Sequence, residues 1–390
     1  MKRTLLSISI ILFFMTVIGE KLMAIPSFAR KYRLSCKTCH APFPRLKPYG
    51  DEFAGNGFVL KDKDAPRYFV DTGDDELSLI RDFPFALRMD GFLSYNNSKT
   101  ETSDLATPYN IKLLSGGSLA KNISYYFYFF FSERGKIVGL EDAFIMFSDI
   151  FHTGISLSLG QFQVSDPLFK RELRLTYEDY YIYKAAPGSS QADLTYDRGI
   201  MLNYTIPKGP DLVFEILNGT GIEEANIFKN FDNDKYKNIF GRISQDIGDH
   251  FRLGASAYYG KEAPEGRMNK IWIWGGDCSF SFSDVELSFQ YMERKDDNPF
   301  FYSAAPTDIK TRGGFAELVF TPGGGDGLWY GVGLFNWVDS DQDSRDYQSA
   351  AVHLGYLLRR NIRFISEFNY IFKGPQGKYA RGIIGLIAGF

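Results

Sequence analysis

Cys36, Lys37, Thr38, Cys39 and His40 form a C-x-x-C-H motif. This spacing is the signature of covalent attachment of a c-type haem. Two thiols at this spacing form thioether bonds to the two vinyl groups of one haem, and the histidine that follows places its imidazole under the iron. The chain has only three Cys and four His, so this single run uses most of the cysteines. We therefore predict one covalent haem c, attached at Cys36 and Cys39 and ligated through its iron by His40.

Other uses of the same residues explain less of the motif. A thioredoxin-like redox pair sits in a βαβ context, and no such pattern surrounds residues 36–40. A structural zinc site needs two further ligands, whereas the remaining cysteine is the distant Cys278 and no second His lies near the motif. A plain disulfide between Cys36 and Cys39 stays open, but it gives His40 no role.

The first residues of the chain have the pattern of a secretory signal. Lys2 and Arg3 precede an apolar run over residues 5–18, and Ala24 is a small residue suited to cleavage. Residues 1–24 are therefore predicted to be a signal peptide that is removed from the mature protein. An uncleaved anchor fits less well, because spanning a bilayer takes ~20 apolar residues. Export agrees with the haem motif, since c-type haem is attached outside the cytoplasm.

Composition narrows the class of protein. The net charge of −3 gives no reason to expect a nucleic-acid partner. Aromatic residues make up 16% of the chain, there are 38 Gly, and no stretch after the signal reaches the 18 apolar residues of a membrane-spanning helix. These features point to β structure.

The alternation of residues after position 85 predicts a transmembrane barrel. Within residues 362–372, Phe364 and Phe368 fall on one face, and Arg363, Glu367 and Asn369 fall on the other. Apolar-out and polar-in alternation over segments of ~10 residues is typical of outer-membrane barrels. We expect about sixteen antiparallel strands, near residues 85–96, 107–118, 123–133, 139–148, 154–164, 197–206, 212–219, 236–247, 251–261, 270–282, 285–295, 310–321, 328–340, 345–358, 362–372 and 379–390.

Loop lengths and aromatic residues support the same architecture. Short connections alternate with longer ones, of which residues 165–197 are the longest, as in barrels with short periplasmic turns and long outer loops. Trp272 and Trp274 are expected in an interfacial aromatic girdle, and the last strand ends at Phe390. A soluble β-sandwich is the alternative, but a strand as aromatic as residues 123–131 carries more large side chains than one sandwich core is expected to bury. The predicted location is the cell outer membrane, with lipid around the barrel.

Three regions follow: a signal peptide (1–24), a c-type haem segment (25–78) and a porin-like barrel (79–390). The haem segment has only about fifty residues, which is too few for a stable core without a covalent crosslink, a bound group or a larger partner domain. We expect it to fold into the lumen as a plug. Aromatic and basic residues of the segment are candidates to wall the haem and to pair with its propionates, respectively: Phe28, Phe43, Tyr49, Phe53 and Phe58, and Arg30, Arg45 and Lys47.

The second axial ligand is missing from the haem segment, which contains no second His and no Met. A barrel residue is therefore expected to supply it. His353 lies in a strand where its neighbours face lipid, so it is predicted to face the lumen and is the first candidate. Met201 is also predicted to point inward, and the mature α-amino group, a lysine or water remain alternatives.

Several short motifs together resemble a known family. The run 25–30, the C-x-x-C-H, Phe43-Pro44-x-Leu46, Tyr49-Gly50-x-x-Phe53 and Gly57-Phe58 are similar to the fused cytochrome–porin family of outer-membrane iron oxidases. The match covers about thirty-five residues. It implies a monohaem cytochrome joined to a porin-like barrel, with Cys36 and Cys39 as attachment sites and His40 as axial ligand. Asp51-Glu52 stands where the family pattern suggests more basic residues.

This resemblance implies a function in electron transfer. The expected activity carries electrons across the outer membrane from extracellular Fe(II) to a periplasmic carrier, a soluble cytochrome, so the protein is an electron-transfer protein or an iron oxidase. Two alternatives are outward electron transfer to an extracellular acceptor and a diffusion porin with a structural haem plug. Glu178-Asp179 and Asp339, Asp341 and Asp343 lie in predicted outer loops, where their carboxylates could bind divalent metal ions or simply be solvated.

Overall fold

A computed structural model describes most of the chain. The described residues are 27–32, 34–60, 69–70, 73, 76–81, 83–98, 102–137, 139–302 and 306–390. The predicted signal peptide lies outside them. Among the described residues, no helix is long and apolar enough to span a membrane.

Sixteen antiparallel strands form a closed barrel, as the alternation predicted. The strands are β3 (Phe85–Asn96), β4 (Thr102–Ala120), β5 (Ile123–Glu133), β6 (Gly139–Phe147), β7 (Ser156–Gln163), β8 (Tyr196–Thr205), β9 (Asp211–Leu217), β10 (Asn238–Ile247), β11 (Phe251–Glu262), β12 (Asn269–Phe282), β13 (Val285–Asp296), β14 (Ile309–Phe320), β15 (Trp329–Ser340), β16 (Tyr347–Arg359), β17 (Ile362–Lys373) and β18 (Tyr379–Gly389). Each strand pairs with its neighbours in sequence, and β18 closes the barrel against β3. A two-stranded ladder, β1 (Phe69–Val70) and β2 (Leu79–Ile80), precedes the barrel.

The two faces of β17 are those predicted from its sequence. Phe368 is 56% exposed on the outside, whereas Asn369 is fully buried and Arg363 and Glu367 are nearly so on the lumen side. Trp272 and Trp274 also lie on the exposed outer face. An apolar exterior around a polar interior is the surface of a transmembrane barrel of the outer-membrane type.

Both ends of the barrel lie at the same rim. The backbone N–H of Leu87 donates to the carbonyl oxygen of Phe390, and the N–H of Phe390 donates back to Leu87. The two-residue turns 121–122, 283–284 and 360–361 lie at this rim. Because outer-membrane barrels have short turns on the periplasmic side, this rim is the periplasmic mouth.

The long connection between β7 and β8 folds into the lumen, contrary to the prediction that it is an outer loop. In this lumen loop (residues 164–195), Tyr180 stacks on Phe315 with ring centroids 4.1 Å apart, and Tyr181 stacks on Tyr347 at 3.9 Å. The side chain of Asn336 donates to the carbonyl oxygen of Asp179. Apolar and hydrogen-bonded partners on the inner wall of the barrel hold the loop inside, and a length-based argument does not detect them.

Three short helices precede the barrel: α1 (Ser27–Tyr32), α2 (Cys36–Cys39) and α3 (Pro48–Gly55). Proline at the first position of α3 suits a helix start, because its missing N–H would have no intrahelical partner there. Phe53 of α3 packs edge-on against Phe28 and Tyr32 of α1, so the helices share a small aromatic core. The side chain of Phe58 stacks on Tyr126 of β5 and joins this core to the barrel wall.

Candidate functional site

The C-x-x-C-H motif occupies α2 and the residue that follows it. Cys36 and Cys39 are one helical turn apart, so their side chains share a face. The backbone N–H of His40 donates to the carbonyl oxygen of Cys36 at 2.9 Å, which fixes His40 at the end of the turn. Both cysteines are free thiols. Burial raises the pKa of both, so each is a protonated thiol near neutral pH.

The N-terminal end of helix α3 packs against the motif. The backbone N–H of Lys47 donates to the carbonyl oxygen of Cys39 at 2.8 Å. A Cβ on Gly50 would clash with that same carbonyl, so glycine permits the close approach of α3 to α2. This contact gives a structural reason for the Tyr49-Gly50 element of the sequence pattern.

The imidazole of His40 is oriented by two backbone carbonyl oxygens. Its Nδ1 lies 2.9 Å from the oxygen of Pro44 and 3.3 Å from that of Arg45. Carbonyl oxygens only accept, so Nδ1 carries the proton and Nε2 keeps its lone pair. Burial lowers the pKa of His40 despite these hydrogen bonds, which keeps the ring neutral near pH 7. A neutral imidazole with its second nitrogen fixed by a carbonyl is the form that ligates a metal.

A cavity of about 350 Å³, here called the mouth cavity, lies between the barrel wall and the three short helices with their linkers (residues 27–58), here called the helical segment. Cys36, Cys39 and His40 all line it. Its volume falls at the lower end of the range for ligand pockets, and its lining is mostly apolar. The wall also includes aromatic residues of the segment and inward-facing residues of the barrel, among them Phe28, Phe43, Phe53, Phe58, Tyr126, Tyr128, Phe144, Met146, Ser158, Phe162, Met201 and Asn203.

These residues fit a c-type haem. Two thiols on one face, a neutral histidine with a free Nε2 and an apolar cavity with aromatic walls are what covalent attachment and axial ligation require. Of the five predicted aromatic wall residues, all but Tyr49 line the mouth cavity.

The predicted propionate partners are placed elsewhere. Arg30 donates to the carbonyl oxygen of Phe85, Lys47 to that of Lys37, and neither lines the cavity. The basic side chains at the cavity are instead Arg88 of β3 and Lys170 of the lumen loop. Sequence reasoning missed both, because a basic residue close to the motif in the chain need not point towards it.

Arg45 anchors the segment to the far wall of the barrel. Its guanidinium forms ion pairs with Glu286 of β13 and, at 3.3 Å, with Glu317 of β14. Burial alone would lower the pKa of Arg45, but the two carboxylates raise it, so the cation is retained. The hydroxyl of Tyr180 donates to the other oxygen of Glu317 at 2.9 Å, which links the anchor to the lumen loop.

Two further contacts fasten the segment at the periplasmic mouth. Arg363 of β17 donates to the carbonyl oxygen of Phe43 at 3.1 Å. Lys37 pairs with Asp326 in the connection before β15 at 2.5 Å. The segment therefore spans the lumen from the cavity wall to the opposite strands, as expected of a plug.

His353 faces the lumen as predicted, but it does not line the mouth cavity. Its Nδ1 lies 2.9 Å from a carboxylate oxygen of Glu367, and its ring lies beside Tyr330. The proposal that His353 supplies the second ligand is therefore not supported by its position. Met201, the other inward candidate, does line the cavity, together with Met146, which sequence reasoning missed. The alternation of β6, in which Asp142, Phe144 and Met146 share one face, was the available signal.

Three of the acidic residues proposed to meet a metal ion at the outside, Glu178, Asp179 and Asp339, are engaged with protein partners. Glu178 is buried in the lumen and accepts from Tyr347 and Arg381. Asp179 pairs with Arg171, and Asp339 with Arg312. Among the described residues, no group of three or more His, Cys, Asp or Glu side chains could hold a metal ion.

A second, polar cavity of about 600 Å³, here called the lumen chamber, lies on the outer side of the mouth cavity. Arg88 of β3 and Glu172 of the lumen loop line both spaces. Arg171, Arg174 and Glu178 of the same loop line the chamber. Residues of the lumen loop therefore line both a polar space towards the cell exterior and an apolar space at the periplasmic mouth.

The fold and this lumen define a porin-like barrel. No protein-family model matches the chain, and no curated protein matches it in sequence. Solved structures do match it in fold. It is similar to the anion-selective porin of Comamonas acidovorans, with a TM-score of 0.56 and 13% identity over 78% of this chain and 98% of that one.

Two other outer-membrane proteins show the same likeness. The loop L8 deletion mutant of OmpT from Vibrio cholerae has a TM-score of 0.56 and 11% identity, over 78% of this chain and 98% of that one. The outer-membrane channel DcaP of Acinetobacter baumannii has a TM-score of 0.54 and 13% identity, over 79% and 97%. At these identities the likeness concerns the fold, and the C-x-x-C-H segment has to be interpreted from its own chemistry.

Proposed function

We propose that the protein is an outer-membrane cytochrome–porin that carries electrons between an extracellular donor, Fe(II), and a soluble periplasmic cytochrome. The observation that carries the proposal is the convergence of Cys36, Cys39 and His40 on one apolar cavity at the periplasmic mouth. The porin likeness by itself favours a diffusion porin over electron transfer. The redox proposal rests on the motif, on the cavity and on the resemblance to cytochrome–porins.

Each residue of the motif has a defined task in this proposal. The sulfur atoms of Cys36 and Cys39 hold the porphyrin covalently, and the Nε2 of His40 ligates its iron. The hydrogen bond from Nδ1 to Pro44 keeps the proton away from the ligating nitrogen. When bound, a c-type haem supplies a one-electron carrier. Phe28, together with the other phenylalanines of the wall, excludes water from the site.

The two sides of the site suit the two electron partners. The segment lies at the periplasmic mouth, where a soluble carrier has access, and Lys37 is half-exposed there. The lumen chamber extends from the mouth cavity towards the outer loops. A donor that enters the chamber gives up one electron, and the carrier at the mouth gains one. Outward electron transfer uses the same arrangement in reverse.

Anaerobic titration of purified holoprotein with Fe(II), followed in the haem absorption bands, tests this proposal. We expect reduction of the haem by Fe(II) and re-oxidation by an added soluble c-type cytochrome. The double variant Cys36→Ser with Cys39→Ser is the matched control, because it keeps the barrel but has no attachment site. If Fe(II) leaves the haem of the holoprotein oxidised at every pH at which the source cell lives, the iron-oxidase function is refuted.

A diffusion porin with a haem plug is the second candidate, and the polar lumen chamber together with the porin fold favours it. Planar-bilayer recording of the holoprotein separates the two functions. A steady open conductance with the haem attached would support the porin. A closed lumen that opens only when the segment is displaced would support the cytochrome.

A further inference from the structure

The iron of a haem held by Cys36, Cys39 and His40 has a second axial position, and the described residues of the mouth cavity offer few side chains for it. The three other histidines do not line the cavity. His152 pairs with Asp149, and the Nδ1 of His250 contacts the carbonyl oxygen of Ser281. The Nδ1 of His353 contacts Glu367 and its buried Nε2 has no hydrogen-bond partner among the described residues, but the ring lies outside the cavity. No histidine other than His40 lines the cavity among these residues.

The charged side chains at the cavity are also committed. Lys170 pairs with Asp166 at 2.5 Å, which keeps its amine protonated and unable to ligate a metal. Glu172 accepts from Lys112 and from the hydroxyl of Tyr128. The remaining neutral donors of the soft type that haem iron accepts are two thioethers, those of Met146 and Met201.

Strand register places these methionines at one level of the barrel. Ser158 of β7 pairs with Met146 on one side and with Met201 on the other. The three side chains therefore form a row across β6, β7 and β8 on the lumen face, with the short serine in the middle. Adjacent strands lie ~4.8 Å apart, so each methionine flanks the space above Ser158.

Packing distinguishes the two methionines. Met201 belongs to the hydrophobic cluster of the lumen, which also contains Phe162 and Tyr258, so that cluster explains its burial. Met146 is 8% exposed and lines the mouth cavity, but it belongs to none of the hydrophobic clusters of the described residues. Its neighbour across the strand pair, Ser124, lies so close to Gly57 of the helical segment that a Cβ on Gly57 would clash with it, so Met146 stands where the segment meets the wall.

We propose that Met146 supplies the second axial ligand of the haem iron, so that the barrel wall completes a redox site whose other ligands lie on the plug. The proposal rests on the haem assignment above. A thioether opposite a histidine raises the reduction potential of a c-type haem, which suits a site that accepts electrons from a mild donor. The iron would then also link the plug to the barrel, because one ligand lies on each.

Absorption spectroscopy and redox titration of three holoprotein variants test this assignment. In the oxidised wild type we expect the weak far-red band that a thioether–iron(III) bond gives to c-type haem. Met146→Leu keeps the side-chain volume, and we expect it to lose the band, to lower the midpoint potential and to bind added imidazole more tightly. Met201→Leu is the matched control and should keep the band. Met146→His should restore a six-coordinate low-spin spectrum at a lower potential.

The outcomes separate this inference from the proposed function. If the wild type lacks the band, or if Met146→Leu retains it, the assignment of Met146 is overturned, even where Fe(II) still reduces the haem. Loss of the band in Met201→Leu alone would equally overturn it in favour of the other methionine. Haem content, measured after alkaline pyridine treatment, is read in parallel. Absence of covalent haem from the wild type would overturn the proposed function itself.

Discussion

Replacement of Arg45 by alanine should release the helical segment from the lumen. In the folded protein Arg45 is the cation for two carboxylates, of which Glu317 is only 2% exposed in its side chain and Glu286 is 31% exposed. Removal of one partner from a buried ion pair costs about 3–5 kcal/mol, because a buried charge is left without compensation. An exposed pair contributes about 0–1 kcal/mol.

The expected loss of free energy for docking of the segment follows from these exposures. Glu317 keeps the hydrogen bond from Tyr180, and Glu286 can be solvated, so we take the lower end of the range, about 3 kcal/mol. Since 1.4 kcal/mol corresponds to a factor of ten, the undocked population should rise by roughly 100-fold. Proteolysis of a transiently open segment tracks that population when closing is faster than cleavage.

Limited proteolysis of the holoprotein in detergent measures this change. Chymotrypsin is the suitable protease, because the substitution removes none of its aromatic cleavage sites, and cleavage within residues 27–58 is followed by mass spectrometry. Arg30→Ala is the control, since Arg30 makes one exposed hydrogen bond to Phe85. Addition of Glu317→Gln to Arg45→Ala should recover part of the protection. An unchanged cleavage rate in Arg45→Ala, or an equal rise in Arg30→Ala, would refute the anchoring role.

Three other predictions test the haem site, the lumen loop and the membrane surface. Cys36→Ser and Cys39→Ser should each leave one thioether, so intact-mass analysis should still find attached haem while the pyridine haemochrome band shifts. Tyr180→Ala should loosen the lumen loop and raise single-channel conductance in planar bilayers; an unchanged current would show that the loop does not limit the pore. Phe368→Lys should lower the unfolding free energy by about 2–4 kcal/mol in reversible urea titrations in lipid. A lysine at the lumen-facing Asn369 is the comparison, and equal losses would contradict the assignment of the two faces.

The barrel was predictable because each strand contains its own evidence. In β17, the alternation of Phe368 with Glu367 and Asn369 reports both the strand and its faces, and it needs no knowledge of neighbours. The C-x-x-C-H spacing is equally local, since it depends on one helical turn. The structure accordingly matches the predicted strand number and order, and it brings Cys36, Cys39 and His40 together.

Features that depend on the barrel's closure were not predictable in the same way. The sequence indicates that His353 and Met201 face inward, but not which of the sixteen strands stands beside the plug. That choice depends on the register around the whole barrel, which places β5 to β8 next to α2. The lumen loop is a similar case, because contacts such as that of Tyr180 with Phe315 pull inward a segment whose length predicted an outer loop. The boundaries of the haem segment at residues 25 and 78 stay a prediction.

The helical segment bridges two distant parts of the barrel, and this sets an order for the maturation of the protein. The mouth cavity is built mainly on strands β3 to β8, whereas Arg45 reaches β13 and β14. Once both contacts exist, Cys36 and Cys39 face a cavity that is walled mainly by strands β3 to β8. Under the proposed function, we expect haem to be attached while the segment is still free in the periplasm. The barrel would then receive its redox centre already assembled on the plug.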